Sequence, residues 1–323
     1  MGKKRILFIG IGFRDYEIDI RKRLEQNGYD IDYFSSVSYT RMNSLLSRFG
    51  IGRIAGYIRS KVLTERIKSH RREYDAVFII KGELFEQHHV NLLKQIHKCK
   101  IILYFWDSVR RMDNAQMLMA SFSNIYTFDR LDACKYGLKF RPLYYRETLS
   151  VSNNYEYDLF FTGYYHSDRL AMIKKIKEEC IKRGLRFKGV VVTGYMQYII
   201  DRFIRKSINN NDKELISYRP ISFNQYVELN RMSKCILDIA HPNQDGLTMR
   251  TIEAVGFNRL LLTTNKDIEN YSNIDKKMYS VFDREVMDID FEFIKDTSPC
   301  YYTDEYYSIN TFIKTLIIDN LDK

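Results

Sequence analysis

His241-Pro-Asn-Gln-Asp245-Gly-Leu-Thr-Met-Arg250-Thr-Ile-Glu253-Ala-Val-Gly256, followed shortly by Leu260-Leu-Leu-Thr263-Thr264, is the stretch that decides the fold of this chain. It reads as the end of a strand, a short polar turn, a helix, a glycine stop and the next strand. A helix linking two short apolar runs is the repeating unit of a parallel sheet covered by helices. The turn feeds free backbone N–H groups into a helix start, which makes an anion site. Asp245 and Glu253 stand eight positions apart across it. Carboxylates so placed are suited to the hydroxyls of a ribose and a sugar.

Working outward, the same alternation runs through both halves. Arg5–Ile9 reads as a strand ending at Gly10-Ile-Gly12, and Tyr16–Gln26 as a helix stopped at Gly28. Ile31–Phe34, Ala76–Ile80, Ile101–Phe105 and Asn124–Phe128 read as strands, and Gln87–His97 as a helix. Polar 144–157 breaks the rhythm and marks a boundary. A second series follows: strand Leu159–Thr162 ending at Gly163, helix Asp168–Arg183, strand Phe187–Val192, helix Phe223–Met232 and strand Cys235–Ala240. Thr311–Leu321 has the spacing of an amphipathic helix. The expected fold class is α/β, with two facing Rossmann-like domains, 1–150 and 151–323, the terminal helix packing back on the first. In open α/β sheets ligands bind beyond the carboxyl ends of the strands. That places Gly10, Gly12, Glu83 and Asp107 of the first domain opposite Gly163, His241 and Asp245–Glu253 of the second, along one expected cleft.

With 323 residues, 45% of them apolar, the chain can fill two cores. It has no run of about 20 apolar residues. The opening Met-Gly-Lys-Lys-Arg-Ile-Leu-Phe-Ile-Gly has too short an apolar centre for a signal peptide and reads as a first strand, so a cytoplasmic location is expected. Five scattered cysteines (99, 134, 180, 235, 300) form neither a metal pattern nor a disulfide framework; they read as small buried hydrophobes. The net charge of +10 is uneven: Arg41–Arg72 holds nine Lys/Arg and one acid, Glu65. Leu45, Leu46, Phe49, Ile51, Ile54, Tyr57, Ile58 and Val62 are interleaved there. A helix with one cationic face would suit an anionic membrane surface, and the alternative is a solvated face over a buried stripe. Gly50, Gly52 and Gly56 argue against one uninterrupted helix. Aromatic residues are too sparse in the segment for base stacking, so nucleic acid is not an expected partner.

The block Phe223–Asp238 with Asp245-Gly-Leu-Thr-Met-Arg-Thr-Ile-Glu253-Ala-Val-Gly256, and the entry Phe160-Phe-Thr-Gly-Tyr-Tyr-His-Ser-Asp-Arg169, resemble the carboxy-terminal domain of group-1 glycosyltransferases of GT-B fold. The chain is most similar to the CgeB-like branch, found with capsule and lipopolysaccharide genes. Motif-level similarity covers roughly the second half. The resemblance implies a nucleotide-sugar donor in the second domain and a glycan or lipid-linked glycan acceptor on the first, at the inner face of a membrane. Asp245 would lie near the donor sugar, Glu253 would hold the ribose hydroxyls, and the backbone of Gly246, Leu247, Thr248 and Met249 would receive the diphosphate. The family's first acid is usually Glu; Asp245 is one methylene shorter. Tyr164 follows Gly163 where the family often has Arg, and Arg169 or Arg250 would then supply positive charge to the departing diphosphate. No metal or other cofactor is expected.

An inverting reaction would need a base for the acceptor hydroxyl, and Asp107 or Glu83 are the candidates; a retaining reaction would not need one there. In Gly10-Ile-Gly12 the third glycine of a dinucleotide fingerprint is replaced by Asp15, so close packing or acceptor approach is the better reading. Asp30–Asp32 and Asp288–Asp290 imitate a metal-binding DxD but stand in the wrong places for one. His88-His89 is expected on a helix surface, and His241 precedes Pro242 at a strand end beside the donor turn. A non-catalytic nucleotide- or sugar-binding protein on the same fold is the alternative.

Overall fold

The structure, a computed structural model, describes residues 2–12, 14–37, 52–146, 148–149, 154–165, 168–205, 207–241, 245–295, 302 and 304–322. The chain divides into two compact units. Unit 1 is Met1–Arg146, Pro242–Leu247 and Glu305–Lys323; unit 2 is Glu147–His241 and Thr248–Asp304. Both are α/β with parallel sheets.

In unit 1 the strands β1 (Arg5–Gly10), β2 (Asp30–Ser35), β3 (Ala76–Ile80), β4 (Lys100–Phe105), β5 (Ile125–Thr127) and β6 (Lys139–Phe140) lie in the order β2-β1-β3-β4-β5-β6. Every described pairing is parallel. Helices α1 (Arg14–Gln26), α2 (Gly52–Ser69), α3 (Gln87–Ile96), α4 (Ala115–Ser121) and α5 (Arg130–Tyr136) connect them. Ile6–Ile9 and Ala76–Ile80 are buried along their whole length, as strands covered on both faces must be. Each such Ile, Leu or Phe contributes roughly 1.5–3 kcal/mol by leaving water.

In unit 2 the strands β7 (Tyr157–Tyr164), β8 (Phe187–Val192), β9 (Ile216–Ser217), β10 (Ser233–Asp238), β11 (Leu260–Thr263) and β12 (Tyr279–Val281) run β12-β11-β10-β7-β8-β9. The order reverses between β7 and β10, which pair directly. Helices α6 (Arg169–Lys182), α7 (Tyr195–Ile199), α8 (Phe223–Arg231) and α9 (Met249–Gly256) belong to this unit. Ser222 caps α8 through a reciprocal bond with Gln225, so the Ser-x-x-Gln spacing sets where that helix begins.

Several expectations change. Gly56 lies inside α2, which runs unbroken from Gly52 to Ser69 because Ala55, Leu63 and Ile67 anchor one face in the core. Arg41 to Gly50, with Leu45, Leu46 and Phe49, and Ile51 lie outside the described residues. His89 is buried, and only His88 is exposed. The Glu86 backbone N–H donates to His89 Nδ1 at 3.0 Å, and the ring lies 2.9 Å from the Ser60 carbonyl through Nε2. Cys180 and Cys235 are buried, and burial pushes the Cys180 thiol up to about 12; Cys134 is exposed, and Cys300 lies outside the described residues. The terminal helix starts at Ile309 and contains an i→i+5 turn at Lys314–Ile318. Phe312 packs on Tyr104 and Tyr144, and the Asn320 amide donates to the Tyr126 hydroxyl, so the tail completes the unit 1 core.

Candidate functional site

The strand order reverses between β7 and β10, and the carboxyl edge of the unit 2 sheet at such a reversal is where open α/β sheets take ligands. Asp238 ends β10 there, fully buried. Its carboxylate accepts from Arg250 Nη1 at 2.6 Å, Thr251 Oγ1 at 2.7 Å and Thr248 Oγ1 at 3.0 Å. One strand-end acid thus fixes the start of α9. Arg169 opens α6 at the end of β7 and is 6% exposed. It donates to the carbonyls of Tyr164 (3.0 Å) and Ile239 (2.6 Å), while its Nε has no partner. Arg169 and Arg250 both lie over the Phe161 ring. Burial, then the adjacent Arg250, pull the Arg169 pKa down to about 9. Arg284 joins them, donating to the Ala240 carbonyl and pairing with Asp168. Three arginines against Asp238 and Asp168 leave a surplus positive charge at the switch point, in a setting that suits an anion. Gly163 borders it: a Cβ there would stand 2.9 Å from Arg250 Nη2 and 3.2 Å from Arg169 Nη1.

The opening motif is shared between units. Asp245, Gly246 and Leu247 belong to unit 1, and Thr248 onward to unit 2. Asp245 pairs with Arg110 at 3.1 Å. Gly246 is buried, its N–H donates to Asp129 Oδ2 at 3.3 Å, and a Cβ on it would come within 2.6 Å of the Phe128 ring. The glycine is therefore required by packing against Phe128. Leu247 is buried. Thr248 caps α9 by accepting from the Thr251 N–H at 3.1 Å, so that amide is also engaged, and Met249 is the first helical residue. Glu253 is 2% exposed and hydrogen-bonded to Tyr226, whose hydroxyl is pushed far above the usual phenol range by burial and by this acid. His241 is half-buried, three residues beyond the end of β10.

In unit 1 the ends of β3 and β4 bring Glu83 and Asp107 to one cation. Lys81 Nζ lies 2.5 Å from Glu83 and 2.9 Å from Asp107, whose other oxygen pairs with Arg111 at 3.1 Å. Burial lowers the Lys81 pKa, but its bonds to Glu83 and Asp107 outweigh that, and the ammonium ends above the ordinary lysine value. Lys81 has φ +65°, a left-handed conformation costly for a residue with a Cβ. At β1, the Ile11 and Gly12 amides do hold an anion, but it is the chain's own. Glu17 accepts from the Ile11 N–H (2.6 Å), the Gly12 N–H (3.1 Å) and the Tyr33 hydroxyl (2.6 Å). A Cβ on Gly10 would meet the Glu17 carboxylate at 2.5 Å. The amides that would cradle a dinucleotide phosphate are already used.

No family model matches this chain, and no curated protein matches it. Among solved structures, the catalytic domain of starch synthase IV from Arabidopsis thaliana, bound to ADP and acarbose, matches with TM-score 0.57 and 7% identity over 100% of both chains. The UDP-GlcNAc 2-epimerase of Methanocaldococcus jannaschii, in complex with UDP-GlcNAc and UDP, matches with TM-score 0.56 and 9% identity over 98% of this chain and 99% of that one. The Rickettsia bellii enzyme of the same name matches with TM-score 0.56 and 11% identity over 100% and 98%. The chain has the GT-B fold. The likeness spans 98–100% of the chain.

Within this GT-B chain, Asp238, Arg284, Lys81 and Glu17 are residues that reading the sequence missed. Asp238 had a visible signal, an acid ending an otherwise apolar run, Cys235-Ile-Leu-Asp. Lys81 before Gly82 carried no such signal, because a left-handed lysine cannot be told from an ordinary turn by composition. Among the described residues no group of three or more His, Cys, Asp or Glu is placed to hold a metal.

Proposed function

We propose that this protein is a glycosyltransferase that moves a sugar from a nucleotide-sugar donor to a glycan or lipid-linked glycan acceptor in surface polysaccharide synthesis, as in the CgeB-like branch. The observation that carries the reading is the arginine cluster at the β7/β10 switch point, with the buried Arg169 Nε left over. Its surplus charge and the start of α9 suit the diphosphate of a donor. Glu253 is assigned to the ribose, Asp245 to the sugar, and His241 to the donor. On transfer, the bond from the anomeric carbon to the diphosphate oxygen breaks and a bond to the acceptor oxygen forms. The acceptor proton goes to a base, for which Asp107 and Glu83 are the candidates in an inverting reaction, and the nucleoside diphosphate departs as an anion. The acceptor is assigned to unit 1, near Gly10 and Gly12. Transfer is proposed to need no metal and to persist in EDTA. The site of action is proposed to be the cytoplasmic face of a membrane, with the basic Arg41–Arg72 segment toward anionic lipid; among the described residues no helix is long and apolar enough to cross one.

A thermal-shift series with UDP, GDP, ADP and CMP, and their sugars, tests donor binding. A ligand at 100 times its Kd stabilises the fold by about 2.7 kcal/mol. The shift should vanish in Glu253→Ala with an unchanged circular dichroism spectrum. If no nucleotide raises the melting temperature, donor binding falls while the fold stands. Product analysis separates the chemistry. Release of nucleoside diphosphate with a glycosylated acceptor supports transfer. A donor of unchanged mass but inverted C2 would instead support the second reading, an epimerase, which the two epimerase structures on this fold motivate.

A further inference from the structure

Unit 2 carries an apolar surface that the donor site does not use. Tyr195 and Met196 at the start of α7, and Phe203 and Ile204 at the end of the following turn, are 63%, 57%, 69% and 74% exposed. The opposite face is anchored: Tyr198 is buried, and Asp201 is fully buried against Gln197. The backbone explains why the four exposed side chains share a face. From Ile200 to Ile204 the helix is of i→i+5 type, closed by the Arg205 N–H on the Ile200 carbonyl at 2.9 Å. Such a turn takes about 4.4 residues, so Phe203 comes within roughly 30° of Tyr195 around the axis, against roughly 80° in an unbroken α-helix. The same shift brings Ile204 under Met196. Tyr218, after β9, packs edge-on against Tyr195 and Tyr198 and extends the patch.

The fringe is cationic. Between Tyr195 and Arg219 the sequence holds Arg202, Arg205, Lys206, Lys213 and Arg219 against three acids. Asp201 and Asp212 are buried and paired with Arg205 and Lys174, and Glu214 is paired with Lys177. We propose that this face, Tyr195–Ile204 with its basic fringe, docks unit 2 on an anionic lipid surface. Protruding aromatic and aliphatic side chains with arginines and lysines around them are the composition of an interfacial helix. A second copy of the chain fits poorly, since two such patches face to face would set like charge against like charge. The proposal is independent of the sugar chemistry and distinct from the basic Arg41–Arg72 segment.

The experiment is flotation of the full-length protein with phosphatidylcholine vesicles, with and without phosphatidylglycerol. Wild type should float with the anionic vesicles. Phe203→Ser with Ile204→Ser should weaken partition on the order of tenfold or more. Lys213→Glu with Arg219→Glu should weaken it in low salt only. In Phe203→Trp the introduced indole emission should shift to the blue on adding anionic vesicles, while the parent's buried Trp106 should not respond. Three results would overturn the proposal. One is no flotation of wild type. Another is flotation unaltered by the Phe203/Ile204 pair but lost in Lys61→Glu with Arg71→Glu, which would place the contact on the basic segment. The last is a concentration-dependent dimer in light scattering that the same pair abolishes, which would make a second copy the occupant.

Discussion

Asp238 has three donors around a fully buried carboxylate, so its charge and its shape can be separated by an isosteric change. Asp238→Asn keeps the volume but leaves Arg250 without a counter-ion. It should destabilise unit 2 by about 2–4 kcal/mol in urea denaturation, since breaking a buried pair leaves an uncompensated charge. Any nucleotide thermal shift should weaken as well, because the start of α9 loses its anchor. Lys81 poses a different balance, left-handed backbone against two ion pairs. Lys81→Ala loses the pairs and keeps the strain, whereas Lys81→Gly loses both. The glycine variant should therefore be the more stable of the two by about 1 kcal/mol. Equal stabilities would mean that the conformation at 81 carries no cost.

At the scale of elements, α2 and α3 meet through a neutral histidine. His89 accepts from the Glu86 N–H with Nδ1 and so carries its proton on Nε2, toward the Ser60 carbonyl of α2. Burial lowers its pKa below the ordinary 6.5. The unfolded chain therefore takes up the proton first as pH falls. Stability from this group is complete above pH 6.5 and declines below it until the folded-state pKa is reached. Denaturation midpoints should fall between pH 7 and pH 5, and His89→Gln should flatten that part of the profile. A profile unchanged by the substitution would exclude this histidine as the cause. The strands were legible because their apolar runs are short and bounded by glycine or polar residues. Ala115–Ser121, Arg130–Tyr136 and Ile216–Ser217 were not read, since elements of two to seven residues hold too few positions for a period to register. His89 was misplaced because the i, i+4 pattern of α3 does not show that α2 covers a second face.

The whole chain is two units, but its ends and its middle are exchanged between them. Glu305–Lys323 returns to unit 1, where Phe312 lies on Tyr104 and Tyr144, and Arg141 donates to the Tyr306 carbonyl at 2.5 Å beneath the Tyr306 ring. Ending the chain at Asp304 should uncover that surface and leave Arg141 exposed. Limited proteolysis should then degrade unit 1 at protease levels that leave unit 2 fragments intact. A truncated protein as resistant as the full chain would show that the tail adds nothing to the unit 1 core.

By itself the sequence determined the class of the fold. Apolar runs at strand length separated by amphipathic helices admit a parallel sheet, and strand ends are where such a sheet binds ligands. Gly163 was singled out as a strand end and Arg169 and Arg250 through the family resemblance, and all three meet at the β7/β10 edge. What only the tertiary structure decided was partnership. Strand order created the switch point, and by setting β3 beside β4 it brought Lys81 to Asp107. Long-range packing gave Gly246 its neighbour Phe128, and the local turn from β1 into α1 put Glu17 on the Ile11 and Gly12 amides. The physical reason is that periodicity reports which face of an element is buried, while ion pairs and close contacts depend on which elements lie side by side. That information resides in strand order and register, and no local window of the chain contains it.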